Sequence, residues 1–269
     1  MKGMAGYYMS IDIGTSAGHQ RMGYIEDGIL KMEEVHCFEH EIVEKDGELC
    51  WDVEQVYKEI VLGLKKCWKI GKLPIFVGVS AWGSDFILLD KENQRIGNAV
   101  SFPDSDTIHR LMAVKEKHPD YFERADSILF VADYLTYLLS GVKCCEYTNV
   151  VTTGLADPDK GGWDEEKLET HGIPSRIFPG LCPPGTVVNN LTRRLTEETG
   201  YDCIVVRVEA NREHPNRIVA EIAEETKFAD TDRIAALSGI ITMMATGHQF
   251  KDPEEIRQYV REDFTSAAT

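Results

Sequence analysis

The fold of this chain is decided near its N-terminus by Met9-Ser10-Ile11-Asp12-Ile13-Gly14-Thr15-Ser16-Ala17-Gly18. An apolar run that carries one carboxylate leads into a turn of small residues, which is typical of a strand that feeds a phosphate-binding hairpin. Glycine lets the backbone approach an anion closely, and backbone N–H and hydroxyl groups then donate to it. Asp12, at the end of the predicted strand, can hold a water bound to Mg²⁺. The alternative is an ordinary β-turn with an exposed aspartate, because short glycine motifs recur by accident.

Two further strands and a helix are predicted after this stretch. Glu26-Asp27-Gly28 is a hairpin turn signal between the apolar segments 24–25 and 29–32, so the loop lies at the start of an antiparallel meander. A capped helix is predicted from Asp52 to Gly71. Residues 75–80 are typical of a strand buried on both sides. The order is therefore strand, phosphate loop, two strands, helix and strand.

Three further segments match the sequence pattern of one family. They are Glu48-Leu49-Cys50-Trp51-Asp52, Gly78-Val79-Ser80-Ala81-Trp82-Gly83-Ser84-Asp85-Phe86-Ile87-Leu88-Leu89-Asp90, and Glu146-Tyr147-Thr148-Asn149-Val150-Val151-Thr152-Thr153-Gly154-Leu155 with Trp163-Asp164 after it. With the order of elements, they make the chain resemble the actin-like ATPase (ribonuclease H-like) domain in its sugar-kinase form, the FGGY carbohydrate kinases, and within them the rhamnulokinase branch. The resemblance implies an α/β fold, a mixed sheet flanked by helices, with a shortened and mainly helical C-terminal part.

The resemblance also implies where ligands would bind. The phosphates of ATP would contact the loop residues Asp12, Gly14, Thr15, Ser16, Ala17, Gly18 and His19, with Asp12 also directed toward Mg²⁺. The sugar would contact Trp82, Gly83, Asp85 and Asp104. Two of these assignments have structural alternatives, because Trp82 can be a core residue, as large aromatic side chains often are, and Asp85 can cap a turn. Asn149 and Thr152 are expected to hold a strand edge rather than to touch the ligand.

The composition excludes several classes of partner and site. The 269 residues carry a formal net charge of −16, and such a surface repels nucleic acid and anionic membranes. Seven cysteines without framework spacing indicate free thiols in a reducing cytoplasm, and the adjacent Cys144 and Cys145 are expected in a strand rather than as a redox pair. No apolar run is long enough to span a bilayer, and residues 2–4 begin no signal peptide. No histidines pair at the spacing of a metal site, so no metal beyond Mg²⁺ is expected.

The resemblance breaks in the second half of the chain. Residues 174–184 are rich in proline and glycine, which predicts either a boundary or an extended crossing segment. With the resemblance, it divides the chain into an FGGY N-terminal domain (1–185) and a truncated remnant of the FGGY C-terminal domain (186–269). The His-Asp-Thr run that supplies the family's general base is absent, so the catalytic residue stays unassigned. Asp202, Asp104 or a group of another chain would have to replace it. His19 and residues 102–106 stand where the family has arginines, which removes fixed positive charge.

These departures leave two functional hypotheses. One is an ATP-dependent kinase of L-rhamnulose or a related ketose, weak or inactive because phosphoryl transfer depends on positioning and on neutralising charge. The alternative is a non-catalytic relic that binds a sugar or a nucleotide. In either case the helices expected after Val208 need apolar surface to cover, so we expect them against the first domain or within a homo-oligomer.

Overall fold

The computed structural model describes residues 6–101, 106–157 and 159–267. Within those ranges the strands are β1 (Tyr7–Ile13), β2 (Ala17–Glu26), β3 (Ile29–Glu39), β4 (Ile42–Lys45), β5 (Glu48–Trp51), β6 (Pro74–Ser80), β7 (Phe86–Leu89), β8 (Arg95–Ile96), β9 (Ser127–Phe130), β10 (Cys145–Glu146), β11 (Ala156–Asp157), β12 (Gly162–Trp163), β13 (Leu181–Cys182), β14 (Val187–Asn190) and β15 (Ile204–Val206). The helices are α1 (Val53–Ile70), α2 (Thr107–Lys117), α3 (Pro119–Arg124), α4 (Val131–Ser140), α5 (Tyr147–Thr152), α6 (Glu165–Thr170), α7 (Arg193–Thr199), α8 (Arg217–Thr226), α9 (Thr231–Thr246) and α10 (Pro253–Ala267), with a 3-10 helix at Ser175–Ile177.

A six-stranded mixed sheet in the order β14-β15-β6-β1-β2-β3 lies at the centre of the molecule. β1 pairs antiparallel with β2 and parallel with β6, and β15 continues the parallel part beyond β6. The register places Asp12 opposite His19 on one side and opposite Ser80 on the other. The predicted mixed sheet, with Asp12 close to the end of its first strand, is therefore confirmed.

The meander of β1, β2 and β3 follows from its turn sequence. Asp27 and Gly28 have φ values of 52° and 77°, which is the left-handed pair of a two-residue hairpin that favours Asp-Gly. β2 and β3 pair antiparallel over their whole length, from Ala17 with Glu39 to Glu26 with Ile29. The hairpin turn predicted at 26–28 is thus confirmed.

Helix α1 covers one face of this sheet. The Asp52 side chain accepts from the backbone N–H of Gln55, and Gly71 ends the helix in the left-handed conformation, as expected for its caps. The buried side of the helix consists of Val53, Val56, Ile60, Val61, Gly63, Leu64 and Cys67. It packs with Met9, Ile11 and Ile13 of β1 in the larger of two hydrophobic clusters, because alternate residues of a strand face the same side.

The C-terminal residues cover the opposite face of the same sheet. Tyr8 lies in a second cluster with side chains of α8, α9 and α10, and α9 runs across β1, β2 and β6. A Cβ at Gly239 of α9 would lie 2.6 Å from Oγ of Ser10, so the helix approaches the strand closely. The helices after Val208 therefore pack against the first part of the chain, as expected.

The division at residue 185 and the descent of 186–269 from a second family domain stay predictions, although β14 and β15 join the central sheet beside β6. One local prediction needs correction. Asn149 and Thr152 lie in helix α5 rather than at a strand edge, because the carboxylate of Glu146 accepts from the N–H groups of Thr148 and Asn149 and caps that helix. Within the described residues, no helix is both long and apolar enough to cross a bilayer.

Candidate active site

A cleft of about 440 Å³ opens where the predicted phosphate loop faces the loop that follows β15. Its lining residues are Thr15, Trp82, Arg212, Glu213, Pro215, Thr231 and Ile234. The cleft thus brings together a loop residue predicted to contact phosphate and a tryptophan predicted to contact sugar. It is the place in the described structure where both predicted functions meet.

Asp12 contacts this cleft through Arg212, one of its lining residues. Its side chain is fully buried, and Ser80 Oγ donates to Oδ1 at 3.1 Å while Arg212 Nη2 donates to Oδ2 at 2.9 Å. Burial raises the pKa of Asp12 to about 6, against the opposing effects of Arg212 and Ser80. Both oxygens are therefore engaged by protein donors, and one of those donors is a cation.

The hairpin between β1 and β2 is closed by its own backbone. The N–H of Gly14 donates to the carbonyl of Ala17 at 2.8 Å, and Nε2 of His40 donates to the carbonyl of Gly14 at 2.8 Å. Thr15 and Ser16 are exposed at the tip, whereas Gly14 and Gly18 are buried. A Cβ at Gly14 would collide with the Arg212 guanidinium, so only glycine permits this approach.

Sequence analysis missed Arg212, which crosses the cleft. Its Nη2 donates to Asp12 Oδ2 and, at 2.6 Å, to Oδ1 of Asp232 in the first turn of α9. Its backbone is held where β6 ends, since its N–H donates to the carbonyl of Ala81 at 3.0 Å. The available signal was topological: a charged residue shortly after a strand that runs parallel to β1 comes to the same sheet edge as Asp12.

Asp232 also contacts two other basic side chains, those of His19 and Arg21 in β2. Nε2 of His19 lies 3.8 Å from Asp232 Oδ2, and Nδ1 of the same ring lies 2.8 Å from Glu34. Nη1 of Arg21 donates to the Asp232 carbonyl at 2.8 Å. The hydrogen bond from Arg212 and its charge hold the pKa of Asp232 below the usual range. The predicted loop residue His19 is thus engaged with carboxylates at the side of the cleft.

Aromatic rings form one wall of the cleft. The Trp82 ring stacks on His40 at 5.8 Å between centroids and contacts Trp51 at 4.1 Å. Trp82 is 8% exposed, and among the described residues its buried Nε1 has no hydrogen-bond partner. The ring therefore packs in the core and also lines the cleft, and its contact with a sugar stays a prediction.

Gly83 and Asp85 lie next to this wall and make protein contacts. The Gly83 carbonyl accepts from Nδ2 of Asn149 at 3.0 Å. Asp85 is 3% exposed, accepts from Nε1 of Trp51 at 2.7 Å, and pairs with Arg110. Its role in sugar binding stays a prediction, and what the geometry shows is that Asp85 orients Trp51.

Of the two remaining candidates, one falls outside the described residues and the other lies outside the cleft lining. Asp104 lies outside the described residues. Asp202, considered as a replacement base, accepts from Nδ2 of Asn190 next to the edge strand β14. Within the cleft lining, the carboxylate is that of Glu213, which is exposed.

The residues around Asp12 do not fit a bound Mg²⁺ while Arg212 stays in place. Oδ1 of Asp12 already accepts from Ser80 and Oδ2 from the Arg212 guanidinium, and Mg²⁺ demands near-octahedral oxygen ligands. Within the described ranges, no group of three or more His, Cys, Asp and Glu side chains could hold a metal ion. The positive charge beside Asp12 is therefore supplied by the chain itself.

The chain is similar to known carbohydrate kinases in sequence and in fold. Residues 106–211 match the N-terminal domain of the FGGY family of carbohydrate kinases. The rhamnulokinase of Oceanobacillus iheyensis is 32% identical over 261 residues, which cover 86% of this chain and 55% of that protein. The rhamnulokinase of Halalkalibacterium halodurans is also 32% identical, over 91% of this chain and 57% of that protein. The chain thus spans about half the length of these relatives.

A solved structure shows the same fold. The gluconate kinase of Lactobacillus acidophilus superposes with a TM-score of 0.68 at 16% identity, over 77% of this chain and 48% of that one. At such low identity the likeness speaks for the fold alone, which is the actin-like ATPase fold predicted from the first strands. The sequence relatives and the matched domain place the chain in the FGGY family of carbohydrate kinases.

Proposed function

We propose that the cleft binds a ketose of the L-rhamnulose type and the phosphates of ATP, and that phosphoryl transfer by this chain is weak. The observation that carries this proposal is the Arg212 guanidinium between Asp12 and Asp232. The similarity to rhamnulokinases supports the substrate class, and the phosphate-type hairpin beside Trp82 supports the two ligands.

The sugar half of the proposal depends on the aromatic wall. An apolar ring face and a nearby polar N–H suit a sugar, which presents C–H groups on one side and hydroxyl groups around its edge. Trp82 supplies the ring face, because its ring lines the cleft. Its Nε1 is buried and has no hydrogen-bond partner among the described residues. Trp51, fixed by Asp85, supports the ring from behind.

The weakness of the reaction follows from the charges. Phosphoryl transfer is accelerated by cations that neutralise the equatorial oxygens and by a base that accepts the hydroxyl proton. Arg212 already pairs with two carboxylates, so it has little charge left for a phosphate. No residue in the cleft lining belongs to a His-Asp-Thr run, which supplies the base in the family. The second wall needed to close over the substrates would have to come from outside the described residues.

A coupled ADP-release assay with ATP·Mg²⁺ and L-rhamnulose tests this proposal. We expect turnover at least about a hundredfold below the usual kinase range of about 1–100 s⁻¹. Turnover near 1 s⁻¹ that Asp12→Ala abolishes would overturn the proposed weakness. Arg193→Ala, which removes an exposed ion pair, is the matched control.

Calorimetric titrations separate the kinase from a non-catalytic relic. ATP·Mg²⁺ and L-rhamnulose are added separately to the intact chain and to the Trp82→Phe and Arg212→Gln variants. We expect Trp82→Phe to weaken sugar binding and Arg212→Gln to strengthen metal-dependent nucleotide binding. If neither ligand binds to any of these proteins, both the kinase and the binding relic are contradicted.

A further inference from the structure

Two cysteines and an arginine meet at the ends of the short strands β10 and β13. These strands pair in parallel, with Glu146 opposite Cys182. The thiol of Cys182 donates to Sγ of Cys144 at 3.0 Å, and Nη2 of Arg207 donates to the same sulfur at 3.1 Å and to the Cys144 carbonyl at 2.9 Å. One sulfur therefore accepts from a thiol and from a guanidinium at once.

The environment divides the two cysteines into a thiolate and a thiol. The hydrogen bond from Cys182, together with the charge of Arg207, lowers the pKa of Cys144 to about 5 although burial opposes it. The same hydrogen bond and burial raise the pKa of Cys182 far above its ordinary value. Arg207 is itself fully buried and pairs with Asp133 at 2.9 Å. A thiolate beside a buried cation is the nucleophilic form of cysteine.

The two cysteines also differ in exposure. Cys144 is half-buried, whereas Cys145 and Cys182 are buried. Cys37 is exposed, but its hydrogen bond with Glu34 raises the pKa of its thiol. A small polar oxidant therefore meets an ionised sulfur at Cys144 and a protonated one at Cys37. Of the two neighbouring cysteines expected in a strand, Cys145 lies in β10 and Cys144 precedes it, and the partner of Cys144 is Cys182.

We propose that Cys144 and Cys182 form a reversible oxidation site for small hydroperoxides. The Cys144 thiolate attacks one peroxide oxygen, the O–O bond breaks, and the leaving alkoxide or hydroxide takes a proton from water. Cys144 is then a sulfenic acid. The Cys182 thiol loses its proton, its sulfur attacks Cys144 sulfur, and water leaves as the disulfide forms. Two electrons pass from the two sulfurs to the peroxide, and a dithiol reductant reverses the change.

The site connects to the rest of the molecule through Glu146. This residue follows Cys145, caps α5, and accepts from the N–H of Ala210 at 3.2 Å. Disulfide formation removes the thiolate that faces Arg207 and ties β10 to β13. The proposal is independent of sugar phosphorylation, because it uses only the thiols and their cation.

Peroxide treatment followed by mass spectrometry tests the proposal on the full chain. We expect hydrogen peroxide to remove two hydrogen atoms, protease digestion to yield a Cys144–Cys182 linked peptide, and dithiothreitol to restore the starting mass. In Cys182→Ser the reaction is expected to stop at the sulfenic acid, which dimedone captures on Cys144. Cys144→Ser is expected to give neither product, and Cys37→Ser is the matched control that behaves like the parent chain.

Alkylation of the unmodified chain gives a second readout that needs no variant. At pH 6, iodoacetamide is expected to modify Cys144 about tenfold faster than Cys37 or more, since only the thiolate reacts. Faster alkylation of Cys37, oxidation confined to Cys37, or irreversible oxidation of Cys144 without a link to Cys182 would each overturn the proposal.

Discussion

The guanidinium of Arg212 lies 2.9 Å from the carboxylate of Asp12, although 200 residues separate them in the chain. The carboxylate is fully buried, and the Arg212 side chain is 18% exposed. A charge removed from water in this way is tolerated when its partner is present and costly when it is not. The pair therefore couples the chemistry of the cleft to the stability of the fold.

Removal of Arg212 is expected to destabilise the protein strongly at pH 7. Arg212→Ala should lower the free energy of unfolding by about 3–5 kcal/mol, because it leaves Asp12 buried and unpaired. The double variant Asp12→Asn with Arg212→Ala should lose less than the sum of the single changes. Urea denaturation of the four proteins measures this coupling. Strictly additive losses would show that the pair is not energetically coupled.

Stability should depend on pH through Asp133. Burial raises the pKa of Asp133 to about 7 in the folded protein, whereas the unfolded chain has an ordinary value of about 4. Between these values the folded state holds the proton and the unfolded state does not, so the free energy of unfolding decreases as pH rises. One proton corresponds to a slope of about −1.4 kcal/mol per pH unit.

The matched comparison is Asp133→Asn, measured by urea denaturation between pH 5 and 7. Its free energy of unfolding should have a slope that is less negative than that of the parent chain by this amount. Asp12, whose pKa is raised to about 6, contributes a negative slope to both proteins, and Cys144, whose pKa is lowered, contributes a positive one. The difference between the two profiles therefore isolates Asp133. Parallel pH profiles would mean that Asp133 stays ionised in the fold.

A methyl group at Gly83 is expected to disturb the wall beside the cleft. A Cβ there would collide with the side chains of Asn149 and Asn211, both of which are buried. Gly83→Ala should therefore cost about 1–3 kcal/mol in the free energy of unfolding, as overpacking does. Gly162→Ala is the control, because nothing lies within 4 Å of its added Cβ. Equal thermal midpoints for the two variants would contradict this packing.

Replacement of Asp85 tests its role as a support for Trp51. Asp85→Asn keeps an oxygen for the indole N–H but removes the charge that faces Arg110, so we expect a loss of about 3 kcal/mol. Asp120→Asn, in an exposed pair with Arg124, should cost less than about 1 kcal/mol. Urea denaturation compares the two. If L-rhamnulose affinity falls while stability is unchanged, Asp85 contacts the sugar instead.

Local sequence patterns predicted the elements that local rules govern. The Asp27-Gly28 turn and the caps of α1 are each set by the conformational preferences of a few neighbouring residues, and all formed as predicted. Residues 147–152 form a helix, which was not predicted. The run Val150-Val151-Thr152 has strand propensity, and the helix is capped by a glutamate, which is not a usual N-cap residue.

Long-range relationships were beyond such rules. The proline-rich segment 174–184 suggested a boundary, yet Ile204 and Val205 of β15 pair with β6, about 130 positions earlier in the chain. The phosphate-type loop was predicted from its own residues, whereas its counter-charge Arg212 depends on which strands are neighbours. One part of the site therefore follows from local sequence, and the other follows from which strands are neighbours. The second part sets the charge of the site.

The close contact of α9 with the sheet also sets an order of events during synthesis. A ribosome at about 5–20 residues per second needs roughly 10–40 s to make the 200 residues between Asp12 and Arg212. During that time the nascent meander presents the face that carries Tyr8 and Ser10 without the helix that covers it. A chain halted before Arg212 would hold the loop and the tryptophans but no cation for Asp12. We therefore expect this sheet to be a client of ribosome-associated chaperones until its last helices emerge.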